Sequence, residues 1–486
     1  MIGLQDLLYK VALESVCGEL QLQIESLAFD SRKIGVNSLF VAVKGEQVDG
    51  HQYIEAAIEA GAIAIVCEKL PAEINQNCTY LEVTNSAKAL GILASNYYQN
   101  PSQYLKVVGV TGTNGKTSVA SMLYQLFMSL GYSAGLLSTV KVCYGTTVNS
   151  TTHTTPDPLQ IQAHFAEMHK AGIAHCFMEV SSHGIAQDRI VGIEFSGGVF
   201  TNLTHDHLDY HKTFAAYRDT KKRFFDALPK AAFALVNSDD KNASVMVQNT
   251  AAKTYTYALK NYADFPVQIL EQQFEGMLLK IKGAEVWSKL VGQFNASNLV
   301  AVYAVAELLG LEGIDVLSAI SQLKAVVGRF QVYKSTDNRF VIVDYAHTPD
   351  ALASTLDTIN QIRTQNETLI TIVGCGGNRD QEKRPKMGFV AAQKSDQVIF
   401  TSDNPRSEDP HQILKEIRAG VAPEAYKKTL VIEDRKEAIQ AASQFAKSND
   451  IVLIAGKGHE SYQEIKDAKL PFNDLKIAKQ IFSNTD

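Results

Sequence analysis

Residues 105–131, LKVVGVTGTNGKTSVASMLYQLFMSLG, constrain the fold of this chain more than any other stretch. A short apolar strand, a glycine-punctuated turn and an amphipathic helix follow one another there without a break. Leu105, Val107, Val108 and Val110 make the strand-type run. Val119, Met122, Leu123, Leu126, Phe127 and Leu130 then recur at helical spacing, and Gly131 suits the C-terminal cap. Between strand and helix, Gly112 and Gly115 can turn their amide N–H groups inward, where the new helix adds its positive dipole end. Such a turn takes an anion. Lys116 can reach terminal phosphates, and the Thr117 hydroxyl can ligate Mg²⁺. The full pattern GxxxxGK[ST] needs glycine at position 110, where this chain has Val110, so only the second half matches. A glycine turn that merely joins a strand to a helix is the competing reading.

A chain of 486 residues is long enough for about three domains, expected at 1–102, 103–331 and 332–486. Strand-type runs alternate with helix-length segments throughout, which puts the fold in the α/β class. The formal net charge of −6 speaks against non-specific nucleic-acid binding, and an anionic substrate must be met by local basic groups. The six cysteines form no CxxC pair, and Cys67 and Cys176 sit in apolar runs as buried thiols do. The N-terminus lacks a basic flank followed by an apolar stretch, and no segment is apolar over 18 residues. These features point to a cytoplasmic protein that is neither membrane-bound nor disulfide-linked.

In the first unit, residues 38–43 (SLFVAV) and 62–66 read as strands and 51–60 as a helix; the polar turns at 30–32 and 44–50 look like ordinary surface turns. In the second unit, the run FMEV ends near Glu179, an expensive place for a carboxylate unless a cation such as Mg²⁺ accompanies it. The run GVFTN leads into LTHDHLDYH, residues 203–211, with three histidines and two aspartates in seven residues. That loop could bind zinc, bind a hard metal beside phosphate, or stand solvated; a histidine beside Mg²⁺ is preferred, since no cysteine is present to favour zinc. YRDTKKRFF, residues 217–225, reads as a helix whose charges mostly face solvent, and Asn295 and Asn298 stand three apart at a helix start, where amides cap or read a base edge. The pattern breaks at Gly328-Arg329-Phe330, a boundary and potential hinge.

The third unit repeats one device four times, an apolar run followed by a polar or glycine-rich turn. The turns begin at Asp344, Gly374, Thr401 and Ala455. Continuous apolar strands alternating with helices indicate a Rossmann-like parallel sheet, and ligands of such sheets bind beyond the carboxyl ends of the strands. The four turns are therefore expected to converge, with Arg379 and Arg406 placed to grip carboxylates.

Taken together, TGTNGKT (111–117), TTPDP (154–158), EVSSHG (179–184), TNLTHDHLDYH (201–211), GQFNASN (292–298), DYAHTPD (344–350), GCGGNRD (374–380), DNPR (403–406) and AGKGHE (455–460) resemble the motifs of the Mur ligases along nearly the whole chain. The resemblance implies three domains: a UDP-sugar-binding domain, a central P-loop-type ATPase domain and a C-terminal Rossmann-like domain for the incoming amino acid. It implies an ATP-dependent amide ligase that activates the D-glutamate γ-carboxylate of UDP-MurNAc-L-Ala-D-Glu as an acyl phosphate. An amino group then attacks.

By the same resemblance, Gly112, Thr113, Asn114, Gly115, Lys116, Thr117 and Ser118 hold the ATP phosphates, and Asn295, Asn298, Arg329 and Asp344 complete the nucleotide site. Thr117, Glu179, His207 and a carbamylated Lys221 hold Mg²⁺, the carbamate converting a cation into an anion. Lys116, Glu179, His207 and Lys221 are the catalytic set. The match departs at Thr220, where relatives usually carry alanine, at His205, where arginine is common, and at VVGRF in place of VPGR. Phe29, Ser31, Glu46, Gln47, Val48, Thr154, Thr155, Ser181, Gln187 and Arg189 are implied for the sugar nucleotide. Arg379, Asp403, Asn404, Pro405, Arg406, Gly456 and Glu460 are implied for the amino acid. DNPR resembles the members that add meso-2,6-diaminopimelate, whose second carboxylate Arg406 can pair, with Glu460 on the distal ammonium. The product would be a UDP-MurNAc-tripeptide for peptidoglycan, made by a monomer. The alternatives are an L-lysine-adding ligase of the same family, a folylpolyglutamate synthetase-like enzyme, and a regulatory module that only hydrolyses ATP.

Overall fold

Lys106–Thr111, the strand that leads into the phosphate turn, lies inside an 11-stranded sheet, flanked by His175–Glu179 and Phe195–Phe200 and parallel to both. A strand covered on both faces has no use for polar alternation, and residues 107–111 are all buried. The computed structural model describes residues 1–45, 48–151, 153–466 and 468–483. The helix Lys116–Ser129 follows the turn and packs with Gln293–Leu308 on one face of the sheet, joining Val119, Phe127, Leu299 and Val302 in one core. Leu130 caps that helix and Gly131, expected as the cap, follows one residue later with its amide bonded to Met128 O at 3.2 Å. Pro158–Lys170 and Phe214–Asp226 cover the other face through Phe165, Phe224 and Phe225.

The strand-and-helix alternation read for this unit holds at its parallel centre, and the sheet margins depart from it. Val142–Tyr144 and Thr147–Asn149 form an antiparallel arm on one side, and Phe265–Gln273, Gly276–Ile281 and Ala284–Ser288 form another. Phe265–Gln273 alternates buried and exposed residues at its start, as a strand with one wet face does.

The first unit is a five-stranded sheet in which Ser26–Ala28, Ser38–Val41, Ala62–Cys67 and Thr79–Glu82 run parallel and Ser15–Cys17 closes one edge antiparallel. The helix expected over 51–60 starts as the 3₁₀ turn Gly50–Tyr53 and becomes α only at Ile54–Glu59. Asp49 explains the tighter start, because its carboxylate accepts from His51 N at 3.0 Å and draws the turn in. This unit is stapled to the central one at Gly192, whose carbonyl accepts from Ser95 Oγ at 2.9 Å, and at Asp188, which accepts from Asn85 Nδ2 at 3.2 Å.

The third unit has a six-stranded sheet in the order Gln331–Lys334, Phe340–Asp344, Ile451–Ala455, Leu369–Val373, Gln397–Phe400, Thr429–Val431. The last five are mutually parallel, so the turns after four neighbouring strands leave from one edge. The C-terminal helix Asp474–Ser483 is held there by a buried ion pair. Arg435 Nε and Nη2 each donate to Asp474 at 2.8 Å, Nη2 also reaches Ala455 O at 3.0 Å, and both side chains are fully buried.

Removing one partner of such a pair strands a buried charge. Asp474→Ala is expected to lower stability by about 3–5 kcal/mol, read as a drop in the denaturant midpoint of the third unit. An unchanged midpoint would mean that the pair contributes nothing to holding the terminal helix.

Candidate active site

The phosphate turn is built from outside as much as from its own glycines. Gly112 has φ +148°, and a Cβ there would lie 1.9 Å from Thr201 Oγ1, so no larger residue fits. Thr201 Oγ1 donates to Asn114 O at 2.6 Å, Asn202 Oδ1 accepts from Asn114 N at 3.0 Å, and Asn202 O accepts from Thr113 N at 2.8 Å. Thr201 and Asn202 therefore fix the turn. Sequence reasoning passed over them as the approach to the histidine loop, because nothing local marks a residue that braces a neighbouring strand's turn. Lys116 Nζ donates to Gly112 O at 2.9 Å and Thr113 O at 2.8 Å. Burial pulls its pKa down, against the opposing pull of Glu179 and Asp206.

Glu179 is the last residue of its strand and is 1% exposed. Its Oε2 accepts from Thr117 Oγ1 at 3.0 Å and its Oε1 from Thr139 N at 2.7 Å. Thr117 Oγ1 in turn accepts from Arg329 Nη2 at 3.1 Å, so the linker residue reaches into the phosphate turn. A hydroxyl and a carboxylate oxygen side by side are hard donors that fit Mg²⁺. Among the described residues no three His, Cys, Asp or Glu side chains group closely enough to hold a metal alone. Mg²⁺ takes one or two carboxylates and completes its shell with phosphate oxygens and water.

The histidine loop meets its neighbours as rings. His207 takes φ +53° and its Nε2 lies 3.5 Å from Asp206 Oδ2, while His183 packs 4.9 Å from His207 and 4.2 Å from Tyr210, centroid to centroid. Burial pushes His207 down to about 4, with Asp206 opposing. Behind it, the helix Phe214–Asp226 turns Lys221 inward. Lys222, itself largely buried, pairs with Asp226 at 2.7 Å. Lys221 is 1% exposed; its Nζ donates to Gly112 O at 2.9 Å and lies 4.8 Å from the Tyr217 ring. Burial and the nearby Lys116 push its pKa well below that of an ordinary lysine. Two lysines thus share one carbonyl.

Asn298 and Asn295 are both buried near the start of helix Gln293–Leu308. Asn298 Oδ1 sits where it would be 2.8 Å from a Cβ on Gly115, against the phosphate turn, whereas Asn295 Nδ2 donates to Val291 O at 2.8 Å. Asp344 Oδ1 accepts from Phe330 N at 2.9 Å and Oδ2 from Thr355 Oγ1 at 2.7 Å, and burial raises its pKa. Arg329 stacks 4.5 Å from the Tyr345 ring, which also contacts His347 and His459. A Cβ on Gly328 would lie 2.1 Å from Gly458 C, so linker backbone rests directly on the AGKGHE turn.

Five of the residues implied for the sugar nucleotide fall on the end of strand His175–Glu179 and the segments beside it. Thr154 Oγ1 accepts from Thr139 Oγ1 at 3.0 Å. Thr155 Oγ1 bonds Glu179 O at 2.8 Å and Ser181 N at 3.0 Å, and Arg189 donates to Thr155 O at 2.7 Å and to Gln187 Oε1. Among the described residues no hydrogen bond joins Phe29, Ser31 or Val48 to that chain. Glu46 and Gln47 lie outside the described residues.

The turns of the third unit place Asn404, Pro405, Arg406, Gly456 and Glu460 near one another. Arg406, at φ +51°, donates from Nη1 to Gly377 O at 2.7 Å and from Nε to Glu464 Oε2 at 3.1 Å. Gly456 lies against Asp403, whose Oδ2 would be 2.6 Å from a Cβ there. Arg379 is exposed, with its Cγ 3.9 Å from the Cβ position of Gly376 and Arg406 Nη1 3.0 Å from it, so the two guanidinium-bearing chains flank one glycine. Glu460 Oε2 accepts from Asn404 Nδ2 at 2.8 Å and from Lys457 Nζ at 2.9 Å. Lys457 and Glu464 were not singled out in the sequence. Lys457 lies inside AGKGHE, and Glu464 lies on the hairpin Tyr462–Ile465 and Ala468–Pro471, which has no motif of its own.

Three family models match the chain: the Mur ligase family catalytic domain at residues 23–98, the Mur ligase middle domain at 110–306, and the Mur ligase glutamate ligase domain at 328–458. The UDP-N-acetylmuramoyl-L-alanyl-D-glutamate–2,6-diaminopimelate ligase of Cytophaga hutchinsonii is 52% identical over 98% of each chain. The protein of the same name from Bacteroides fragilis is 49% identical over 99% of each. A solved structure, also described as a UDP-N-acetylmuramoyl-L-alanyl-D-glutamate–2,6-diaminopimelate ligase, superposes with a TM-score of 0.71 at 31% identity, covering 99% of this chain and 98% of the other.

His459, on the same AGKGHE turn, has Nδ1 buried without a hydrogen bond among the described residues, and burial pushes its pKa down to about 3. An unfolded chain takes up that proton near pH ~6.5 and the folded one does not, so stability is expected to fall as pH drops from about 6.5 toward 3. Acid titration followed by fluorescence checks this: His459→Gln should lose less stability across that window than the parent, and identical curves would remove His459 from the acid response.

Proposed function

The chain belongs to the Mur ligase family, and from that membership we propose that it joins meso-2,6-diaminopimelate to UDP-N-acetylmuramoyl-L-alanyl-D-glutamate, with ATP converted to ADP and phosphate. The single observation that carries the reading is the linker Gly328–Phe330, which touches both halves of the chemistry. Arg329 bonds Thr117 in the phosphate turn, and Gly328 rests on the turn that carries Glu460. Phosphoryl transfer at one and amine attack at the other then happen in one crevice. The reading assigns residues 1–102 to the sugar nucleotide, 103–331 to ATP and 332–486 to the amino acid, in a cytoplasmic monomer.

In this reading the turn Gly112–Ser118 cradles the phosphates with backbone N–H groups, and Lys116 leaves the Gly112 and Thr113 carbonyls to meet the γ-phosphate. Asn298 packs the turn from the helix side, and Asn295, Arg329 and Asp344 frame the nucleotide between domains. Thr117, Glu179, His207 and Lys221 as its carbamate would hold Mg²⁺, which would supply charge neutralisation for the phosphoryl group. Lys221 suits that role because its amine is held toward the neutral form, and only a neutral amine adds CO₂. Thr154, Thr155, Ser181, Gln187 and Arg189 hold the sugar nucleotide with Phe29, Ser31, Glu46, Gln47 and Val48, directing the D-glutamate γ-carboxylate at the γ-phosphate. Arg379, Asp403, Asn404, Pro405, Arg406, Gly456 and Glu460 then orient diaminopimelate so that its reacting amine attacks the acyl carbon and phosphate departs. Closure of the third domain keeps water from the acyl phosphate.

The test is phosphate release with ATP, Mg²⁺ and UDP-MurNAc-L-Ala-D-Glu, plus meso-diaminopimelate, L-lysine or no amino acid, with product mass checked. Release and tripeptide only with diaminopimelate is expected; turnover with lysine alone would replace the specificity, and release with no amino acid would replace the ligase reading. Arg406→Ala should raise KM for diaminopimelate at least about tenfold. Lys221→Ala should lose about 100-fold in kcat and regain part of it with millimolar formate or acetate; full activity without rescue would exclude a carbamate.

A further inference from the structure

Arg406 and Glu460, the two side chains that would meet the far end of the amino acid, are each already paired with a protein charge of opposite sign. Arg406 Nε lies 3.1 Å from Glu464 Oε2, and Glu460 Oε2 lies 2.9 Å from Lys457 Nζ. Asn404 couples the two pairs: its Nδ2 donates to Glu460, and its Oδ1 accepts from Lys457 Nζ at 2.8 Å and from Glu464 N at 2.9 Å. Lys457 is fully buried and Glu464 is about one quarter exposed, so the first charge is little screened and the second only in part. The four groups form one hydrogen-bonded frame carrying no net charge.

Resting on the diaminopimelate reading above, we propose that Lys457 and Glu464 are specificity-determining residues which hold Glu460 and Arg406 in ion pairs, so that the four-group frame is neutral and linked through Asn404. The pocket thereby selects an amino acid whose distal end is a zwitterion. Diaminopimelate carries an ammonium and a carboxylate at that end, which sum to zero. L-lysine carries the ammonium alone, and 2-aminopimelate the carboxylate alone. A pocket holding only Arg406 and Glu460 would also offer one partner to each. The added pair changes the result for the mismatched ligands. With L-lysine, Arg406 keeps Glu464 and Glu460 must share its charge between Lys457 and the ligand. With 2-aminopimelate, Glu460 keeps Lys457 and Arg406 is shared with Glu464. Only a ligand bearing both charges engages both halves of the frame at once, and both halves are linked through Asn404.

The frame predicts opposite shifts from two single changes, which a loss of structure would not give. Lys457→Met leaves the pocket one unit negative, so the ratio of kcat/KM for L-lysine to that for diaminopimelate should rise about tenfold or more, while the ratio for 2-aminopimelate falls. Glu464→Gln leaves it one unit positive, so the ratio for 2-aminopimelate should rise and that for L-lysine fall. KM for ATP should stay within about twofold in both, and Lys457→Arg should restore the parent preference. The measurement is coupled phosphate release by the full-length enzyme with saturating ATP, Mg²⁺ and UDP-MurNAc-L-Ala-D-Glu across the three amino acids. Ratios that stay put, or that move in the same direction in both variants, overturn the inference. If Lys457→Met does not fold, the Glu464→Gln ratios decide alone. A parent enzyme inactive with diaminopimelate would overturn the proposed function and this inference with it, whereas unmoved ratios in an active enzyme overturn this inference only.

Discussion

A carboxylate at the buried end of a strand persists only if donors or cations reach it, and the site is arranged around how Glu179 is satisfied. Thr117 from the phosphate turn, Thr139 from the adjacent loop and, one bond further out, Arg329 from the inter-unit linker form a single chain of hydrogen bonds. Because those residues come from different segments, the turn, the sheet edge and the linker cannot shift independently. The low dielectric that makes an unpaired Glu179 costly also strengthens each bond of the chain. Lys116 and Lys221 add two cations on the Gly112 carbonyl nearby, and burial presses both toward neutrality. The region is thus electrostatically loaded, as functional sites commonly are.

The third unit solves a related problem differently. There the charges are paired before any ligand arrives, Arg406 with Glu464 and Lys457 with Glu460, with Asn404 between them. Behind this frame the Arg435–Asp474 pair is sealed from solvent and anchors the terminal helix. A parallel sheet that delivers four turns to one edge brings these groups together, since each motif is separated from the next by a helix. The linker joins the two solutions by bonding to the phosphate turn and resting on the AGKGHE turn.

Two elements show where sequence reasoning stops. The helix over 217–225 is legible from its pattern, but its two adjacent lysines have different fates, Lys222 paired with Asp226 and Lys221 buried against Gly112 O. Only packing against the turn separates them. Thr201 and Asn202 hold the phosphate turn, yet they lie about 90 residues downstream and nothing in the turn names them. The antiparallel margins of the central sheet were likewise missed, because short half-wet strands carry a weaker period than the buried parallel ones.

The sequence by itself determined the α/β class, the strand-turn-helix at 105–131, the parallel character of the third sheet and the family, because these rest on local patterns and ordered motifs that survive without coordinates. The tertiary structure decided which charges pair: that Thr117 sits between Glu179 and Arg329, that Asp344 receives the Phe330 amide, and that Lys457 and Glu464 neutralise the groups beside them. The reason is physical. The worth of a charge depends on its burial and on partners within a few ångströms, and those partners arrive from segments tens to hundreds of residues away.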